Sequence, residues 1–262
     1  MKPKRTQAKL FGALLASLLL APVAAADSGD QPPALSQSNP QSHPAARVRF
    51  VRAFVIDDRL SAVRRDANIR GEVIERLRLG RRVFIIKTFR GGQDEAVFYR
   101  IAVTRRTRGW IHQAALAVPG VSGDDKRILK LAESAADGFD RITLCKLLVE
   151  NFRRSPLVPR ALLMIGEEAE LSAESLSARS RKRLAEVETT DARATLRDYY
   201  LSDPWLDRYS RLGVAFDFNE ANAEYVYDGR TYRELLKRFP GGAEASRARE
   251  LLNHTRQKLA RQ

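Results

Sequence analysis

Between residues 51 and 117, short apolar runs are separated by glycines and charged turns, and within several runs the apolar side chains fall on alternate positions. Alternation with period two sends successive side chains to opposite faces of an extended chain, so this stretch has few ways to fold other than as strands. Val51, Ala53 and Val55 alternate with other residues. Val83, Phe84, Ile85 and Ile86 form a compact apolar run, with Gly80 before it and Gly91 and Gly92 after it. Phe98, Arg100, Ala102 and Thr104 alternate with Tyr99, Ile101 and Val103, and Trp110, Ile111 and His112 follow Gly109. Short strands at this spacing predict a small antiparallel barrel or sandwich over residues 51–117.

From Ser122 the period becomes helical. Ser122 to Asp125 resembles a capping box, after which Ile128, Leu131, Ala132 and Ala135 share one face. Ile142, Cys145, Leu148, Val149 and Phe152 form a second stripe. Pro156 or Pro159 starts a third helix, because proline suits a first turn, and Ala161, Leu162, Ile165 and Ala169 make its buried face. The polar stretch 172–190, with its basic run 179–183, reads as a longer helix or a connector. Asp203 and Pro204 read as the cap and first residue of another helix, and residues 232–239 and 245–259 form a final pair around a Pro240-Gly241-Gly242 turn. One internal echo stands out. Leu148, Phe152 and Ala161 are repeated at identical spacing by Leu235, Phe239 and Ala248. Helical-repeat proteins are built from such hairpins, although any two helical hairpins can share the pattern. Residues 122–262 are therefore predicted to form an all-α, helical-hairpin domain, and the chain as a whole an α+β protein of two folded parts.

The ends and the charge bound the setting. Lys2, Lys4, Arg5 and Lys9 precede a short apolar run and the small residues up to Ala26, the signature of a cleaved signal peptide over residues 1–26. Residues 27–50 are rich in Pro, Ser, Gln and Asn and read as a linker. No later apolar run reaches the roughly 18–20 residues a membrane span needs. The mature chain is thus expected outside the cytoplasm, periplasmic or extracellular, with no membrane span. The formal net charge is +14. Residues 51–117 carry 15 Lys plus Arg against 7 Asp plus Glu, a net of +8, whereas residues 118–262 carry 25 against 23, a net of +2. The β-like segment therefore holds most of the basic excess, which favours an anionic partner or simply a solubilising surface.

Ordered motifs within this segment resemble the bacterial SH3-like domain family, which combines a Leu-x-Val-Arg-type strand, a Val-Ile-x-x-Leu-x-x-Gly-x-x-Val stretch, an aromatic strand and a Gly-Trp-Ile-His end. The matching residues are Leu60, Val63 and Arg64; Val73, Ile74, Leu77, Gly80 and Val83; Phe98, Tyr99 and Ile101; and Gly109, Trp110, Ile111 and His112. The resemblance implies a five- to six-stranded barrel that binds cell-wall peptide or assists wall enzymes. Arg64, Tyr99 and Trp110 are the candidate ligand-binding residues, with core packing the competing role for Tyr99 and Trp110. The helical half is loosely similar to tetratricopeptide-like repeats, on residues 232–240 and 243–248, which implies a protein-binding scaffold.

Catalytic patterns are missing. His43, His112 and His254 are scattered, and there is no His-Glu-x-x-His helix, no Gly-x-Ser-x-Gly elbow and no phosphate loop. Cys145 is the single cysteine and sits on an apolar stripe, so a buried small side chain is expected there and an internal disulfide is impossible. The expectation is a non-enzymatic envelope binding or scaffold protein without metal or cofactor, whose partner is wall peptide or an envelope protein. The alternative is a structural adaptor in which barrel and helices form one unit with no wall ligand. Sequence-specific nucleic-acid binding is not expected behind an export signal.

Overall fold

The computed structural model describes residues 50–91, 96–186 and 195–260. The expected signal peptide, and all of the expected linker except Phe50, lie outside the described residues. The N-terminal half is an antiparallel sheet and the C-terminal half is mainly helical.

Seven strands build the sheet: β1 (Val51–Val55), β2 (Ala62–Arg64), β3 (Val73–Arg76), β4 (Arg82–Arg90), β5 (Val97–Ala102), β6 (Arg108–His112) and β7 (Leu116–Ala117). Their order is β3-β2-β6-β5-β4-β1-β7. The end strands do not pair with each other, so hydrogen bonding does not close the sheet into the expected barrel. Both ends have local reasons. β3 is exposed along its whole length, and β7 stops after two residues, just ahead of Pro119, which lacks an N–H, and of Gly120 at φ 91°.

One face of the sheet is nevertheless dry. Val63, Ile101 and Ile111 are fully buried in a cluster with Val55, Val83 and Leu116, and the cluster contains no α-helical residue. A sheet face with no second layer over it stays dry only if the sheet curls around it, so the strands wrap their own core.

From Ala53 onward, β1 is buried on both faces. Ala53 and Val55 face the sheet core, while Phe54 joins a second cluster, together with Ile56 and Ala117, that is otherwise formed by the helical half. Polar contacts reinforce this junction. The Asp124 carboxylate accepts from the Val118 N–H at 2.7 Å, and Arg127 donates to the carbonyls of Ala114 at 2.7 Å and Leu116 at 3.2 Å. The expected capping box at Ser122 is not formed: Gly123, at φ 88°, occupies the cap position of the first helix without a side-chain hydrogen bond. The sheet and the helices belong to one compact unit.

The helices are α1 (Asp124–Ser134), α2 (Gly138–Asn151), α3 (Val158–Glu186), α4 (Leu196–Leu201), α5 (Pro204–Arg211), α6 (Arg230–Arg238) and α7 (Ala245–Ala260). The polar stretch after Ser172 continues α3 as far as Glu186. Its basic run is put to structural use: Arg181 pairs with Glu224, Arg183 with Asp203, and Arg179 lies over the Trp205 ring. Asp203 caps α5 by accepting from the Trp205 N–H at 2.9 Å, with Pro204 in the first turn, as the sequence predicts.

The second half is not all-α. β8 (Phe216–Asn219) and β9 (Glu224–Tyr227) form an antiparallel hairpin. Phe216 and Phe218 stand opposite Tyr227 and Tyr225, and the alternating aromatic residues suit a half-buried strand better than a helix stripe. Asn219 holds the turn by accepting from the N–H groups of Ala221 and Asn222. The rings pack into an aromatic cluster with Tyr200, Tyr209 and Tyr232.

The internal echo has a geometric counterpart. α2 ends where the Phe152 N–H donates to the Leu148 carbonyl at 2.9 Å, and α6 ends where the Phe239 N–H donates to the Leu235 carbonyl at 2.8 Å. Ser155 and Gly242 then donate back to the carbonyls of Phe152 and Phe239, and Val158 and Ala245 to those of Ser155 and Gly242. Ala161 and Ala248 are both fully buried. The α2–α3 and α6–α7 connections are thus the same turn built twice.

Candidate functional site

Backbone irregularity decides what the outer face of the sheet displays. In β4, Val83 and Ile85 point into the sheet core, and Ile85 stands opposite Ile101 of β5. The pairing then slips, so that Lys87 stands opposite Arg100 and Phe89 opposite Phe98. A bulge at this point reverses the parity of the strand: without it, Lys87 and Phe89 would follow Ile85 inward.

Two rows of side chains result. Arg100 is paired on its other side with Trp110 of β6, and Trp110 with Arg64 of β2, so Lys87, Arg100, Trp110 and Arg64 form one line across four strands. Beside it, Phe89, Phe98 and His112 form a second line. Phe89 meets the Trp110 ring edge-on with centroids 5.9 Å apart, and Phe98 meets His112 edge-on at 5.5 Å. Phe98 is buried beneath these neighbours, while Phe89 remains 42% exposed. The His112 ring is fixed in place, because Nδ1 accepts from the Ala114 N–H at 3.2 Å.

Gly109 allows this arrangement. A Cβ there would lie 2.5 Å from Val63 Cγ1 and 2.7 Å from the Arg64 carbonyl oxygen, so only glycine lets β2 come this close to β6. Arg64 is partly committed: its guanidinium donates to the Gly71 carbonyl at 2.7 Å and ties down the β2–β3 loop. Among the described residues, no carboxylate forms an ion pair with Arg64, Lys87 or Arg100. Directly opposed like charges are unfavourable, and Lys87 and Arg100 are such a pair.

The three residues singled out from the sequence are therefore divided. Arg64 and Trp110 share the outer row. Tyr99 stands opposite Ile111 and packs on the inner, buried cluster, so it does not line a groove with Trp110. Burial raises its phenol above the ordinary range. Trp110 is absent from the buried core and lies on the outer face, half-buried, where core packing had been the competing expectation. Lys87, Arg100, Phe89, Phe98 and His112 were not singled out. Arg100 and Phe98 were legible in the alternation already noted, but Lys87 and Phe89 reach this face only through the bulge.

Cys145 is fully buried, and burial pushes its thiol up to about 12. That keeps the sulfur protonated, the opposite of what a nucleophile needs. Among the described residues, no helix is long and apolar enough to cross a membrane. No protein-family model matches the chain, and no curated protein or solved structure matches it either.

Proposed function

We propose that this protein is an exported, non-catalytic binding protein of the bacterial envelope, and that the outer face of its curled, SH3-like sheet binds the anionic peptide of the cell wall. The observation that carries this reading is the row Lys87, Arg100, Trp110 and Arg64, flanked by Phe89. Three cations on one sheet face repel one another in the free protein, and an anionic chain laid across the strands relieves that repulsion. The Trp110 and Phe89 rings supply an apolar platform beside the charges, which a carboxylate-bearing peptide with aliphatic side chains can cover. The basic excess of this segment and the signal-like residues 1–26 support the same setting.

The helical half serves as a scaffold for a protein partner, with the twice-built α2–α3 and α6–α7 turns giving it a repeat-like, tetratricopeptide-like character. The alternative, an adaptor with no wall ligand, draws on the shared junction of Phe54, Ile56 and Ala117 with the helices.

Residues 27–262, incubated with isolated cell wall and sedimented, test the proposal. Retention at low salt that fades as salt rises is expected, with at least a tenfold loss for Trp110→Ala and for Lys87→Glu combined with Arg100→Glu. No retention at low salt, or equal retention of the variants, contradicts wall binding and leaves the adaptor.

A further inference from the structure

We propose that the cleft between the sheet and the helices is a second, separate site, which takes a small anion carrying two or more carboxylate or phosphate groups. The cleft has a volume of about 790 Å³ and shares no lining residue with the Trp110 row. Four arginines line it. Arg76 ends β3 and Arg78 follows it, while Arg208 and Arg211 come from the last turn of α5. Among the described residues, none of the four forms an ion pair with a carboxylate, although most other arginines of the helical half have one.

Arg208 is held by rings rather than by an acid. Its guanidinium carbon lies 3.7 Å from the centre of the Phe139 ring and 5.1 Å from that of Trp205. Stacking fixes the plane of the guanidinium and leaves its N–H edges free, the geometry that suits bidentate binding of an oxyanion. Arg211 uses Nε on the Asp207 carbonyl at 3.2 Å, which leaves its two terminal nitrogens. Asp58 and Asp140 also line the cleft, so four positive groups face two negative ones. A ligand with a single charge would leave this excess half-matched, whereas a doubly charged one balances it. Burial pushes the Asp140 carboxyl above its usual range, with Asp137 and Asp58 adding to the effect and Arg208 opposing it. Leu77, Leu79 and Leu212 give the cleft an apolar floor for the body of the ligand.

Because two arginines come from the sheet half and two from α5, such a ligand would bridge the two halves and stabilise the folded chain. Calorimetric titration of residues 27–262 with citrate and with pyrophosphate, at fixed ionic strength and with acetate as the singly charged comparison, tests this. Saturable binding of citrate or of pyrophosphate, at least tenfold tighter than acetate, is expected, and the tighter of the two names carboxylate or phosphate as the preferred group. Arg208→Gln should weaken it at least tenfold. Arg78→Gln, at an exposed position, should weaken it similarly. Lys87→Gln with Arg100→Gln should leave it unchanged, which separates this site from the wall-binding face. Unsaturable heats, equal binding of acetate, or undiminished binding by both the Arg208→Gln and Arg78→Gln variants overturns the proposal.

Discussion

Single atoms decide two properties of this protein. At Gly109, one added methyl would strike both a core side chain and a backbone carbonyl of β2, and the carbonyl cannot rotate away. Gly109→Ala is expected to cost about 2 kcal/mol, in line with overpacked core sites, and to separate β2 from β6. A urea titration gives the first quantity, and lost retention on cell wall gives the second. At Cys145 and Tyr227, burial pushes both groups up to about 12, from ordinary values of 9.0 and 10.0. The unfolded chain then releases these protons at lower pH than the folded one. Between about pH 9 and pH 12 the folded state holds more protons, so stability is fully present below pH 9 and falls as pH rises through that window. The urea midpoint should therefore drop from pH 8.5 to pH 10.5, and Cys145→Ala should make the early part of that drop shallower. A midpoint that holds or rises over this range would contradict the assigned burial.

Among the elements, the repeated turn and the β4 bulge carry the most meaning. Ala161 and Ala248 occupy equivalent, fully buried places after the two turns. Ala161→Leu and Ala248→Leu should each destabilise the protein by about 1–3 kcal/mol, measured by denaturant unfolding. A neutral result at either site would show that the two turns do not pack alike. This echo was legible in the sequence because the spacing of Leu, Phe and Ala maps directly onto a turn whose hydrogen bonds are local. For the same reason, the sequence narrowed the start of α3 to Pro156 or Pro159, of which the second lies in its first turn, and placed the α5 cap at Asp203. The β8–β9 hairpin was missed, since its short alternation of Phe and Tyr lies among strongly helical neighbours. The parity of β4 was beyond reach: a bulge is a property of two paired strands, and nothing within residues 82–90 announces where pairing will slip. For that reason Lys87 and Phe89 were overlooked, and Tyr99 was grouped with Trp110 although adjacent ladder pairs face opposite ways.

For the whole molecule, the sheet and the helices share a core through Phe54, Ile56 and Ala117, and Arg127 and Asp124 pin the β7–α1 connection. Phe54→Ala should cost about 3–5 kcal/mol and lower the unfolding of both halves together, followed by far-ultraviolet circular dichroism for the helices and, in a Trp205→Phe background, by Trp110 emission for the sheet. Two separated transitions would show that the junction is not cooperative. Such a frame holds the Trp110 row on the outer face of the sheet, where Lys87, Arg100 and Phe89 are exposed. The chain has two tryptophans, Trp110 on that row and Trp205 on α5, so its spectrum contains two indole N–H signals. Their response to soluble cell-wall peptide, followed by nuclear magnetic resonance, reads the proposed contact directly. The Trp110 signal should shift progressively and saturate, along with the backbone amides of Lys87, Arg100 and Arg64. A Trp110 signal that stays fixed at saturating wall peptide would contradict the binding face described above.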